Sequence, residues 1–186
     1  MEIIRFAALK ATPWKNGGGI TREVASQQAQ SGEGIDWRIS LAEVSKAGPF
    51  SEFPGMDRVL TVTDGELLLL EVDGESHPLE KYRAFRFAGD VPAAASLPTG
   101  EVRDLNVITR RGAFKGFTSI IELSKKRAHA VFAGQHAILL HGQADVSAAE
   151  ETEKLERYDA VIGADENPPE ILGRGFLAVV SIDPLD

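Results

Sequence analysis

The chain has 186 residues, 43% hydrophobic and 26% charged, an ordinary globular composition that excludes disordered, collagen-like and coiled-coil architectures. Lys and Arg total 20 against 28 Asp and Glu, and the net charge of −8 repels phosphate backbones, so no nucleic-acid partner is expected. A Cys count of 0 removes disulfides, thiolate nucleophiles and sulfur-ligated metals together, and fits a reducing, cytoplasmic setting.

In chain order, Met1 to Ala11 carries Glu2, Arg5 and Lys10 and has no apolar run of signal-peptide length, so no secretion is expected. Trp14-Lys15-Asn16-Gly17-Gly18-Gly19-Ile20-Thr21-Arg22 follows. Consecutive glycines lose much backbone entropy on folding and are kept where a chain turns sharply or approaches something closely. Their spacing matches neither a Walker loop nor a dinucleotide fingerprint. Two readings remain, a turn clamping the N-terminal strand and a ligand-facing loop.

Ile35, Trp37, Ile39 and Leu41 alternate with Asp36, Arg38, Ser40 and Ala42, the period of a strand with one apolar and one polar face. If the polar face lines an interior, Arg38 and Ser40 become buried donors, and a guanidinium fork matches a carboxylate. The competing reading is a surface residue or an internal pair of Arg38 with Asp36 or Asp104. Gly48-Pro49 and Pro54-Gly55 then bracket Phe50, Ser51 and Phe53, an aromatic loop that roofs a pocket mouth or plugs the end of a barrel.

Residues 58–63, 66–72, 83–88 and 102–109 read as strands separated by Asp64-Gly65, Asp73-Gly74, Gly89-Asp90 and Thr99-Gly100. Arg58 opens the first of these and can join Arg38, while Asp104 and Asn106 alternate along the last. Further strands are expected at 114–123, 129–132, 137–141, 160–163 and 176–182. This spacing favours a sandwich or barrel, and no apolar stretch approaches the roughly 20 residues of a membrane span.

An internal repeat overlays Leu79-Glu80-Lys81-Tyr82-Arg83-Ala84-Phe85 on Leu155-Glu156-Arg157-Tyr158-Asp159-Ala160-Val161, an offset of 76 (155 minus 79). Residues 60–65 overlay 137–142 at an offset of 77 (137 minus 60), which points to two copies of one β module. Between them, 147–158 taken alone reads as a helix, with Ser147 and Glu150 at capping-box spacing. The repeat lays it over a hairpin at 70–82, and a strand is expected because propensity yields to tertiary context.

The histidines His77, His129, His136 and His141 form no H-x-H pair and have no Glu at ligand spacing, so neither a metal nor another cofactor is expected. No G-x-S-x-G elbow marks a nucleophile.

The motifs Trp14 to Gly19 with Thr21-Arg22, Asp36 to Ser40, Gly48 to Ser51 with Phe53-Pro54-Gly55 and Asp57-Arg58, and Asp104-Leu105-Asn106 with Arg110-Arg111 resemble the HutD/Ves family in order and spacing. The resemblance implies an all-β bicupin, with cupin-like barrels of the double-stranded β-helix or jelly-roll type at 1–113 and 114–186. It also implies an accessory or regulatory role in histidine utilisation, with urocanate or formylglutamate as ligand. The second half carries less of the pattern, so the site is expected in the first barrel, at Trp14, Lys15, Asn16, Thr21, Arg38, Ser40, Phe50, Ser51, Phe53 and Arg58. The expected activity is non-catalytic binding of a small anionic metabolite. The alternative is a metal-independent isomerase or hydrolase using a carboxylate or His77 as acid-base group. A third reading is an interaction module with a filled interior, and exposed sheet edges would allow a homodimer.

Overall fold

The computed structural model describes residues 1–186 and is built almost wholly of strands. In chain order they are β1 (Glu2–Ile4), β2 (Thr12–Pro13), β3 (Gly19–Gln28), β4 (Ile35–Val44), β5 (Gly48–Pro49), β6 (Met56–Asp64), β7 (Leu67–Val72), β8 (Glu75–Glu80) and β9 (Ala84–Ala88). There follow β10 (Ala93–Ser96), β11 (Val102–Arg110), β12 (Phe114–Glu122), β13 (His129–Ala130), β14 (Gln135–Ala148), β15 (Glu151–Leu155), β16 (Ala160–Ile162) and β17 (Glu170–Pro184). No helix is long and apolar enough to cross a membrane.

The chain forms two compact units, Lys10–Gly116 with Pro184–Asp186, and Met1–Leu9 with Phe117–Asp183. The division differs at its ends from the expected 1–113 and 114–186. The N-terminal residues go with the second unit because β1 pairs β16, Glu2 opposite Ile162 and Ile4 opposite Ala160. Asp159 fixes this pairing: Arg5 Nη1 donates to its Oδ2 at 2.8 Å and the Phe6 amide to its Oδ1 at 2.9 Å.

Within the first unit (residues 10–116), one sheet runs β2-β3-β4-β11-β6-β9 and another β5-β10-β7-β8. Leu60, Val62, Val44 and Val102 of the first meet Leu68, Leu70, Leu79, Ala93 and Ala95 of the second in one apolar core. Each fully buried Leu or Val there contributes about 1.5–3 kcal/mol. Both faces of β4 are buried, since Ile39 and Leu41 are 0% and 1% exposed and Ser40, on the opposite face, 2%. The second unit is a sheet of order β1-β16-β14-β17-β12, with β13 on β17 and β15 on β14. Its interior is filled by Leu139, Val146, Leu155, Val161, Ile171 and Leu177.

The repeat is carried by backbone geometry as well as by letters. Tyr82 and Tyr158 both adopt the left-handed region, at φ 66° and 69°, as do Asp73 and Ala149 at 50° and 53°. Non-glycine residues seldom do so. The Tyr82 amide donates to Val62 O at 2.8 Å and the Tyr158 amide to Leu139 O at 2.6 Å, closing equivalent turns. In each copy the preceding cation, Lys81 or Arg157, lies over the tyrosine ring at 5.2 or 4.8 Å. Residues 147–158 hold β15, paired with β14 through Ser147 and Thr152. Ala149 at φ 53° makes the turn that a continuous helix would forbid. Strands β3, β14 and β17 run to 10, 14 and 15 residues, beyond what their mixed sequences indicate, because each extends into pairings with distant partners.

Candidate functional site

Antiparallel register sets polar side chains in rows across the larger sheet of the first unit. Glu23 of β3 pairs Ser40 of β4, Ser40 pairs Asn106 of β11, and Asn106 pairs Leu60 of β6. The next row runs Thr21, Ala42, Asp104 and Val62, and the one on the other side Arg38, Ile108 and Arg58. Directly paired residues project to the same face. These rows therefore turn Thr21, Glu23, Arg38, Ser40, Ala42, Arg58, Leu60, Asp104 and Asn106 into one cavity of 620 Å³.

The glycine segment and the aromatic loop supply the remaining wall. Trp14 Nε1 donates to Thr21 Oγ1 at 2.7 Å, and its ring meets Phe50 edge-on at 5.7 Å. Asn16 Oδ1 accepts from the Gly18 amide at 2.8 Å while its Nδ2 donates to Pro49 O at 3.4 Å, tying the two loops together. A Cβ on Gly19 would lie 2.5 Å from Glu43 O and 3.0 Å from the Trp14 ring, so only glycine lets these strands and this indole close up. The segment is thus a turn and a cavity wall at once.

Arg58 is 4% exposed. Its guanidinium lies 5.6, 5.1 and 5.0 Å from the rings of Phe50, Phe53 and Phe87, and Nη1 donates to Ser51 O at 3.0 Å. Arg38 lies over the Phe53 ring at 5.1 Å, so two cations share one aromatic ring. The Nε atoms of both arginines are buried without a hydrogen-bond partner, as are Asp104 Oδ1 and Asn106 Oδ1. The internal pair of Arg38 with Asp36 does not form: Asp36 is taken by Arg110 at 2.6 Å and Gln27 at 3.1 Å.

Burial dominates the electrostatics. It pushes the Arg58 guanidinium down to about 10, with Asp104 opposing the change and Arg38 adding to it. Burial also lowers Arg38, opposed by Glu23. The Asp104 carboxyl is pushed up to about 7 by burial against the pull of Arg58. The cavity thus combines two buried guanidiniums whose Nε donors are unused with a carboxyl poised between its neutral and charged forms.

All ten residues singled out from sequence line this cavity, Lys15 and Ser51 among them. Glu23, Asp104 and Asn106 join them, and only the alternation of Asp104 with Asn106 could have signalled their place. His77 stands elsewhere, on β8 with its ring 4.6 Å from Phe85, so it supplies no acid-base group here. No three His, Asp or Glu side chains converge at metal-ligand spacing. The second unit has a smaller pocket of 300 Å³ bordered by Lys125, Asp145 and Lys154.

The HutD family model matches residues 6–179. Over 109 residues the chain is 38% identical to an uncharacterized 21.2 kDa protein in the hutC 3′ region of Pseudomonas putida, covering 58% of this chain and 57% of that one. It is 37% identical over 117 residues to protein Ves of Citrobacter koseri, covering 62% and 61%. The chain thus spans about three-fifths of the length of the curated relatives it matches. The solved structure of HutD from Pseudomonas fluorescens superposes with a TM-score of 0.82 at 28% identity, covering 100% of this chain and 99% of that one. At 7% identity and a TM-score of 0.61, a cupin 2 conserved barrel domain protein from Leptotrichia buccalis shares the fold over 99% of this chain and 96% of its own, which makes the architecture cupin-like.

Proposed function

The chain belongs to the HutD family, and on that premise we propose that it serves histidine utilisation as a non-catalytic binding protein whose first-unit cavity holds a small carboxylate such as urocanate or formylglutamate. The hut-associated names of its relatives support the pathway. The observation that carries the ligand class is the pair of guanidiniums, Arg38 and Arg58, stacked on Phe53 with no carboxylate paired to either. A cation taken out of water is unfavourable until an anion and its hydrogen bonds replace the solvent. Trp14, Phe50 and Phe53 offer apolar walls to a planar ligand, while Lys15, Asn16, Thr21, Ser40 and Ser51 supply polar ones. Occupancy would report pathway flux, because ligand binding stabilises the folded form increasingly, with the logarithm of concentration, once the ligand exceeds its Kd.

Melting temperature against urocanate, formylglutamate and histidine tests the reading. A ligand at about 100 times its Kd adds about 2.7 kcal/mol, or roughly 5–10 °C for a chain of this size. No shift with any of the three removes the support for a binding role. A metal-independent isomerase or hydrolase is the second reading, favoured by Asp104, a cavity carboxyl held at about 7 and so suited to proton transfer near neutrality. Incubating chelator-treated protein with the same acids and following them by NMR separates the two, since a binder returns its ligand unchanged.

A further inference from the structure

Asp104 is the feature of the cavity that simple anion capture does not use. It sits on β11 between Ala42 and Val62, two residues from Asn106 on the same face, is 1% exposed, and leaves Oδ1 unbonded. The charged groups that share its cavity are Arg58 from β6, Arg38 from β4, Glu23 from β3 and Lys15 from the turn between β2 and β3; no histidine lines it. Ionised, Asp104 is itself a counterion to Arg58 and repels an entering anion. Neutral, it is an O–H donor, and a carboxylate ligand offers about four lone-pair sites, enough for the guanidinium forks and one more donor.

Resting on the carboxylate reading above, we propose that Asp104 receives the ligand in its protonated form, donating its O–H to the anion held by Arg58 and Arg38, so that a carboxylate binding where Asp104 is ionised brings one proton into the cavity. Atoms and charge balance: the ligand contributes its negative charge, solvent contributes the proton, and Asp104 gives up its interaction with Arg58. Burial already holds the carboxyl at about 7, and an adjacent anion raises it further. Affinity is therefore level below pH 7 and falls above it by as much as about tenfold per pH unit. A ligand that instead presents an N–H to an ionised Asp104 gives the opposite slope.

The probe is cinnamate, a planar acid with no donor of its own and no titration above pH 6. Its Kd is measured by calorimetry from pH 6 to pH 9, below the range in which Arg58 gives up its proton, in pairs of buffers with different ionisation enthalpies. The expected result is uptake approaching one proton between pH 7 and 9 and a matching loss of affinity. Asp104→Asn, whose amide N–H imitates the neutral acid, should bind within a few-fold of the wild type at pH 6 and lose the pH dependence. Cinnamate binding with no proton uptake, or with affinity rising with pH, overturns the role of Asp104 and leaves the anion site standing. Absence of cinnamate binding at every pH overturns the carboxylate reading itself. The buffer comparison needs only the unaltered protein, so poor folding of the variant does not blunt the test.

Discussion

Replacing Arg58 by Met removes a charge from the cavity while keeping most of the side chain's length. Burial pushes the guanidinium down to about 10, and at about 1.4 kcal/mol per decade of proton affinity this costs the folded state on the order of 3 kcal/mol at neutral pH. Three aromatic contacts, at 5.0, 5.1 and 5.6 Å, return about 0.5–1 kcal/mol each, and the bond to Ser51 O about 1.5–3 kcal/mol. These returns come to about 3–6 kcal/mol, so Arg58→Met should lower stability by about 0–3 kcal/mol, a fall of at most about 10 °C in Tm. Binding should behave differently. Losing a buried partner of a bound carboxylate costs about 2–5 kcal/mol, or roughly 30-fold to several thousand-fold in Kd. Calorimetry with cinnamate or urocanate, beside a thermal melt, reads both quantities. A variant that melts more than about 10 °C lower yet binds as tightly as before would show that the guanidinium merely braces the phenylalanine cluster, and the reasoning would be refuted.

Asp104 carries a stability consequence apart from ligand. Its folded value of about 7 lies above the unfolded value of about 3.9, so its contribution is whole below pH 4 and is lost as pH rises through 7, up to about 4 kcal/mol. Asp104→Asn should therefore match the wild type in urea unfolding at pH 4 and exceed it increasingly up to pH 7; a constant difference would contradict the assigned burial. Gly19→Ala should destabilise by about 1–3 kcal/mol, because its methyl meets Glu43 O at 2.5 Å; an unchanged Tm would mean the hairpin relaxes freely. Arg111 joins Asp57 at 2.9 Å and Asp90 at 2.6 Å, and Asp90 also accepts from the Gly55 amide at 2.7 Å. Arg111→Ala should speed hydrogen exchange at Phe53, in the cavity wall, and at Gly55 two residues on, and unaltered exchange would show that these bonds do not hold that loop.

Much of the fold was legible because β structure writes its period locally. The alternation from Ile35 to Ala42 yields both the strand and the side on which Arg38 and Ser40 lie, and the repeat corrected a misleading helix signal at 147–158. Long-range pairing was not legible: nothing in Glu2–Ile4 points to Ala160–Ile162, and β10, an Ala-rich strand, has no pattern of its own. The cavity residues came from motif and spacing, but their electrostatics did not. Asp36 and Asp104 are equal as letters, yet one is claimed by Arg110 and Gln27 while the other faces the cavity with only the charge of Arg58 to oppose its burial, a distinction made by neighbours far away in sequence.

The indole of Trp14 against Phe50 gives the molecule a built-in optical sensor. The chain has Trp 2, and the other, Trp37, hydrogen-bonds Gln27 and does not border the cavity. In a Trp37→Phe background the emission comes from Trp14 alone, so unlabelled metabolites can be screened by intensity and wavelength, with any change assigned to the wall they touch.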